Sequence, residues 1–311
     1  MNKKCLFFID DVIWVLRDLT RQKPKSLFDN EFMAMLKEAH DKYGMKVQLH
    51  IFYRTDFYYG EDEFSLADMT DAYKSEFEEA SDWLKFSFHA KQEFPDYPYV
   101  NADYETVKIN LDRTKKEVFR FAGENSYSYG TVTHWLPVSK EGVKALRDGG
   151  MRVINPSHGE KAEYTGDVEC LPYGHAFRLL QNRKPEAMLY TRESRNVAIS
   201  NSVCSYNHIT SEEADETMFN LKAIYDKETD MYYKLSCNSV CLNLNTVENL
   251  VTDLEPVLGK EFIGYATHEQ YFYEDYFAYQ PDYAEKLLLT AKILSENGYE
   301  YIFIEDFVDY Q

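Results

Sequence analysis

Leu6-Phe7-Phe8-Ile9-Asp10-Asp11 runs an apolar β stretch directly into two adjacent carboxylates. Four later strand-like runs also finish on histidine or acid: Phe86-Ser87-Phe88-His89, Val132-Thr133-His134, Ile263-Gly264-Tyr265-Ala266-Thr267-His268 and Tyr301-Ile302-Phe303-Ile304-Glu305-Asp306. Parallel strands that each carry an ionisable group at the C-terminal end bring those groups to one face, where βα folds place their active sites. The repetition reads as an enzyme.

Outward from that stretch, strand and helix signals alternate. Strands are expected over 5–9, 46–53, 84–88, 131–136 and 151–154. Phe28, Phe32, Met35, Ala39 and Tyr43 recur at helical spacing and stop at Gly44. Tyr104, Val107, Leu111, Val118 and Phe121 do the same before Gly123, and Ser139 caps a short helix holding Val143 and Leu146. Near the C-terminus a strand over 262–266 precedes a helix opened by Pro281 and closed by Asn297-Gly298, with a last strand over 301–304. This βαβα rhythm predicts an α/β fold with a parallel sheet, and 311 residues suit one (β/α)-barrel domain over 1–311. An insertion at about 156–245 breaks the rhythm. Short runs at 187–190, 197–200 and 232–235 and a helix-like stretch at 211–223 predict a mixed, partly antiparallel lobe.

The net charge of -19, from 53 acids against 34 bases, repels polyphosphate and anionic lipid, which disfavours nucleic acid and membrane as partners. The 26 tyrosines and 20 phenylalanines suit either a cleft that stacks on sugar rings or a tyrosine-rich core. Five cysteines without a C-x-x-C pair exclude a disulfide scaffold or a zinc finger, and Cys237 and Cys241 are expected in the core. Asp10-Asp11 interrupts the leading apolar run too early for a signal peptide, and no stretch reaches the ~20 apolar residues of a membrane span. The expected location is cytoplasmic.

The order of the strand-end motifs resembles the polysaccharide deacetylases, carbohydrate esterases that remove N- or O-acetyl groups from chitin-like and peptidoglycan-like sugars. Those proteins carry T-F-D-D-G, H-[ST]-x-x-H, R-x-P and a late L-x-H. This chain has Phe8-Ile9-Asp10-Asp11-Val12, His89-Ala90-Lys91-Gln92-Glu93 and Ala266-Thr267-His268, with His134-Trp135-Leu136-Pro137 between them. The likeness spans 5–154 and 262–306 and leaves out the insertion. It implies a distorted, seven-stranded barrel. It also implies that Asp10 is the general base toward an attacking water, that Asp11, His89 and Glu93 bind a divalent metal, and that His268 is the general acid. Imidazole and carboxylate donors suit zinc, and also accommodate cobalt, nickel or manganese. Val12 replaces the motif glycine, Glu93 replaces the second histidine, and the arginine that would orient the catalytic aspartate is missing.

Candidate substrate contacts are His134 and the adjacent indole of Trp135, Glu269 and Tyr271 beyond His268, and Arg54 at the end of the second strand. Asp56, Glu305 and Asp306 are candidate supporting groups, while His158, His175 and His208 receive no role beyond possible substrate contact. The expected activity is metal-dependent deacetylation of an N- or O-acetylated carbohydrate or related N-acyl compound, with a soluble oligosaccharide or sugar conjugate as partner. Two alternatives stand beside it. One is a metal-free glycosidase pairing Asp10 or Asp11 with Glu269 or Glu305. The other is a non-catalytic sugar-binding barrel.

Overall fold

The computed structural model describes residues 3–55, 63–93, 98–158, 208–276 and 278–310. Asp56, His175 and the expected runs at 187–190 and 197–200 lie outside these residues.

Strand β1 (Lys3–Val12) is the centre of the molecule. Its apolar run is buried from Cys5 onward, because parallel neighbours flank it and side chains cover both faces. The neighbours are β2 (Val47–Phe52), β9 (Phe262–His268) and β10 (Tyr299–Tyr301). β9 runs beside Lys4–Asp10, β2 beside Phe8–Val12, and β10 only beside Lys3–Cys5. With β3 (Leu84–Ala90) on β2 and β8 (Val240–Cys241) on β9, these strands form a six-stranded parallel sheet.

A second sheet has the order β4 (Gly130–Thr131), β5 (Val153–Ile154), β7 (Met231–Tyr233) and β6 (Ile224–Asp226), with only the last pair antiparallel. A parallel bridge between Phe86 of β3 and Tyr127 sets the segment just before β4 beside the first sheet. The expected α/β class and parallel pairing are present. Among the described residues the ladders trace ten strands in two sheets. β7 and β8 belong to these sheets although they fall within the stretch expected to be an insertion.

Alternate residues of β1 go to different layers. Cys5, Phe7 and Ile9 join the large cluster with the helices, where Phe7 stacks on Tyr265 at 4.5 Å. Leu6 and Phe8 join a second cluster that includes Val132, Val153, Ala266 and Ile304, drawn from both sheets. The same period-two alternation puts Asp10 on the Phe8 side.

Helices α1 (Trp14–Gln22), α2 (Glu31–Tyr43), α3 (Lys74–Glu79), α4 (Tyr104–Phe121), α5 (Lys140–Asp148), α6 (Ser211–Thr217), α7 (Val247–Leu254) and α8 (Tyr283–Glu296) complete the fold. Asn30, Asp103 and Ser139 cap α2, α4 and α5 by accepting backbone N–H groups three residues on. Gly44 ends α2 at φ 67°, a conformation glycine takes without steric cost.

Two expected strands end early. β4 stops at Thr131, and Trp135 and Leu136 beyond it turn into the left-handed region at φ 63° and 73°. β10 stops at Tyr301, and Ile304–Tyr310 forms a 3-10 helix. Glu305 and Asp306 therefore do not join the strand ends that carry Asp10 and His268. Glu305 pairs with Lys85 at 2.6 Å and accepts from Tyr129 N, and Asp306 accepts from Phe303 N.

Candidate metal and catalytic centre

Adjacent side chains on a regular strand point to opposite faces, so Asp10 and Asp11 could not share a site without a local irregularity. A β-bulge supplies it. Ile9 pairs with Leu49 and Val12 with Ile51, leaving Asp10 and Asp11 together opposite His50. Asp11 adopts φ 61°, a left-handed conformation that aspartate tolerates better than most residues.

Glu269 anchors the chain just beyond this bulge. Its Oε2 accepts from Ile13 N at 2.7 Å and Trp14 N at 2.8 Å, and its Oε1 accepts from Val15 N at 2.7 Å. Glu269 is thus the N-terminal cap of α1 and not a surface that substrate could reach, since it is fully buried. Burial pushes its carboxyl up to about 7, against the pull of the three N–H donors.

Asp11 Oδ1, His89 Nε2 and His134 Nδ1 form a compact triangle. The carboxylate oxygen is 3.0 Å from the first nitrogen and 3.1 Å from the second, and the two nitrogens are 3.1 Å apart. The remaining ring nitrogens fix the tautomers. His89 Nδ1–H donates to the Val132 carbonyl at 2.5 Å, and His134 Nε2–H donates to the Glu93 carbonyl at 2.9 Å. Each imidazole therefore turns a lone pair toward the Asp11 oxygen, an arrangement that repels unless a cation sits among the three atoms. A metal bound at ~2.0–2.2 Å spaces neighbouring donors ~2.9–3.5 Å apart, which the triangle matches. The residues fit a two-histidine, one-carboxylate centre.

The electrostatics agree. Burial alone would raise the Asp11 carboxyl, but the surrounding His134, His89 and His268 outweigh it and hold the group well below the usual carboxylate range. Burial likewise works against charge on His89, yet Asp10 and Asp11 raise its pKa.

Asp10 is held by a different chain of groups. His50 Nδ1–H donates to Asp10 Oδ1 at 2.6 Å, and Gln48 Nε2 donates to His50 Nε2 at 2.9 Å and to the Gly130 carbonyl at 2.6 Å. Gln48 Oε1 accepts from Ser128 Oγ and Ile304 N. Burial lowers the His50 pKa despite the Asp10 hydrogen bond, keeping the ring neutral. His268 Nδ1–H donates to Asn243 Oδ1 at 3.1 Å. Its Nε2 faces Asp10 Oδ2 at 3.9 Å and Asp11 Oδ2 at 4.0 Å. Burial lowers the His268 pKa against the pull of both acids.

Of the expected site residues, Asp10, Asp11, His89, His134 and His268 converge. Glu93 is not among the donor sets that lie within 4.8 Å of one another in the described residues; its Oε2 accepts from Gln270 Nε2 at 3.1 Å. Tyr271 is fully buried and packs edge-on to Tyr276, so it offers no surface to substrate. Arg54 donates to Gln92 Oε1 at 2.7 Å and does not line the cavity beside Asp10. Trp135 does line that cavity, with Asp10, His89, His134 and His268. Cys237 and Cys241 are half-buried in the same wall and not sealed in the core. His50, Gln48 and Asn243 were not expected. The signal for the first two lies in Val47-Gln48-Leu49-His50-Ile51, where two polar residues alternate along one face of an otherwise apolar strand.

No protein-family model matches the chain, and neither does any curated protein sequence. Among solved structures it is similar to a 4-alpha-glucanotransferase from Thermococcus litoralis, with a TM-score of 0.53 and 10% identity over 100% of this chain. The chain spans 41% of that protein's length. It is also similar to a family 4 acetyl xylan esterase from Clostridium thermocellum in complex with cobalt (TM-score 0.42, 11% identity, 99% of this chain and 91% of the other). A third neighbour is a putative glycoside hydrolase/deacetylase from Parabacteroides distasonis (TM-score 0.48, 9% identity, 99% of this chain and 70% of the other). At such identities the likeness concerns the fold alone. No helix among the described residues is long and apolar enough to cross a membrane.

Proposed function

We propose that this chain is a metal-dependent hydrolase that removes an acyl group from an amine or hydroxyl, with an acylated carbohydrate or sugar conjugate as substrate. The two sheets then form the wall of one distorted barrel, with the site at the C-terminal ends of its strands. The observation that carries the reading is the triangle of Asp11 Oδ1, His89 Nε2 and His134 Nδ1, whose lone pairs converge while both imidazole N–H groups are held by backbone carbonyls.

Those three residues would hold a divalent cation, zinc or one of cobalt, nickel and manganese, with His134 in the place expected of Glu93. Such an ion, when bound, polarises a carbonyl and acidifies water. Asp10 supplies the base. With Oδ1 tied to His50, its Oδ2 is the atom left to take a proton from the attacking water. His268 is neutral at rest, and its Nε2 faces the same oxygen. It can accept that proton and pass it to the departing amine or hydroxyl.

The glycosidase alternative loses the two partner acids expected for it, because Glu269 caps α1 and Glu305 is paired with Lys85.

The test is elemental analysis of zinc-exposed, desalted protein beside His134→Ala and Glu93→Gln, with assays on p-nitrophenyl acetate and acetylated glucosamine oligosaccharides. Near-stoichiometric zinc in wild type and Glu93→Gln, its loss in His134→Ala, and turnover that follows metal content are expected. Metal retained by His134→Ala, or none in wild type, would sink the assigned centre.

A further inference from the structure

Asp10, His89, His134 and His268 form part of the wall of a cavity of about 230 Å3. Most of the remaining wall is apolar: Phe8, Val132, Leu136, Leu235, Ala266 and the thiols of Cys237 and Cys241. Burial pushes the Cys237 thiol up to about 12, so it stays neutral and behaves as a small hydrophobe. Thr133, Asn155 and the exposed His158 also line the cavity. Thr133 Oγ1 donates to the Leu136 carbonyl at 3.0 Å, and Asn155 Oδ1 accepts from Ser236 N at 2.8 Å.

A pyranose ring placed here would lose the hydration of several hydroxyls and find few partners in exchange, whereas an apolar group meets a matching wall. Size points the same way. An apolar cavity of ~150 Å3 holds benzene, so this one exceeds what the single methyl of an acetyl group can fill. The backbone is also strained where it shapes the wall. Trp135 and Leu136, in succession, hold φ values of 63° and 73°, which bulky side chains rarely adopt, and both line the cavity directly after His134.

We propose that this cavity is an acyl pocket, and that the enzyme prefers substrates whose acyl group is an apolar chain or aryl group larger than acetyl. The inference rests on the hydrolase reading. In the reaction the acyl–nitrogen or acyl–oxygen bond breaks, water supplies the new carbon–oxygen bond, and a proton goes to the departing amine or hydroxyl. The product acid leaves from the pocket.

The experiment compares kcat/KM of zinc-loaded protein for ethyl acetate, ethyl butanoate and ethyl hexanoate, which share one small leaving group. Wild type is expected to gain up to about fourfold per buried methylene. Leu235→Trp and Cys237→Phe, which fill the pocket, should lower the hexanoate-to-acetate ratio at least tenfold. A flat series, or a preference for acetate in wild type, overturns the proposal and leaves the hydrolase reading standing.

If no ester is hydrolysed, that reading fails separately, and the pocket is judged by binding to metal-free protein. Hexanamide should then raise the Tm of wild type more than acetamide does, and should not do so in the filled variants. No shift in wild type overturns the pocket itself.

Discussion

Asp10 and His268 are register partners on adjacent parallel strands, and His268 Nε2 stands 3.9 Å from Asp10 Oδ2. The pairing places an acceptor and a neutral imidazole nitrogen at the same height of the sheet, too far apart for a direct hydrogen bond. A reacting atom or water between them can reach both. The parallel ladder sets this spacing, so no loop has to close to create it.

Asp10→Asn keeps the shape of the side chain and an oxygen for His50 while removing the basic carboxylate. Turnover should fall by ~10²–10⁴-fold, the usual loss when a general base is deleted. Zinc content, measured by elemental analysis, should stay near the wild-type value because the Asp10 carboxylate lies outside the three-donor triangle. Loss of the metal in this variant would show that Asp10 is a ligand.

His50 Nδ1–H holds Asp10 Oδ1 at 2.6 Å. His50→Ala should lower kcat by ~10–100-fold, as removal of an orienting partner commonly does, with KM nearly unchanged. His50→Asn, whose amide can still donate, should recover part of kcat. Equal losses in both variants would argue for a packing role alone.

Glu269→Gln exchanges one acceptor oxygen for an NH₂ group facing backbone N–H donors at the start of α1. The fold should lose ~1–3 kcal/mol, the cost of leaving a buried backbone donor unpaired. Urea denaturation measures the loss. Because α1 begins three residues after Asp11, zinc affinity should fall as well. An unchanged denaturation midpoint would remove Glu269 from the account.

His208 is buried away from the centre, stacked on Tyr233 at 5.1 Å, with Nε2–H donating to the Val138 carbonyl and Nδ1 accepting from Ser157 N. Burial lowers its pKa to about 4, whereas an unfolded histidine titrates near ~6.5. Above the unfolded value both states are neutral and the contribution is complete. As pH falls toward 4 the unfolded chain gains a proton that the native state refuses, and about 3 kcal/mol is lost. His208→Gln, which can keep both hydrogen bonds, should flatten the stability difference between pH 7 and pH 4.5. A parallel decline in both proteins would assign the acid sensitivity to other groups.

The sequence by itself determined the alternation of elements and the strand ends that carry Asp10, Asp11, His89, His134 and His268. Apolar β runs must be buried in parallel pairs, and side-chain type and local spacing are written directly in the chain. α4 begins and ends at the residues its apolar spacing marks, Tyr104 and Phe121. Only the tertiary structure decided what each strand-end group does. The Asp10–Asp11 bulge is a property of the register with β2, so nothing within residues 6–12 reveals that both acids reach one cluster. His134, and not Glu93, meets Asp11 and His89, because it arrives from the segment after β4 and the Glu93 carbonyl fixes its ring. Glu269 and Glu305 looked like strand-end acids, yet one caps a distant helix and the other pairs with Lys85. Donor triangles and apolar cavities depend on distances between segments far apart in the chain. Local sequence carries residue chemistry and periodicity, and those distances exist only once the strands have paired.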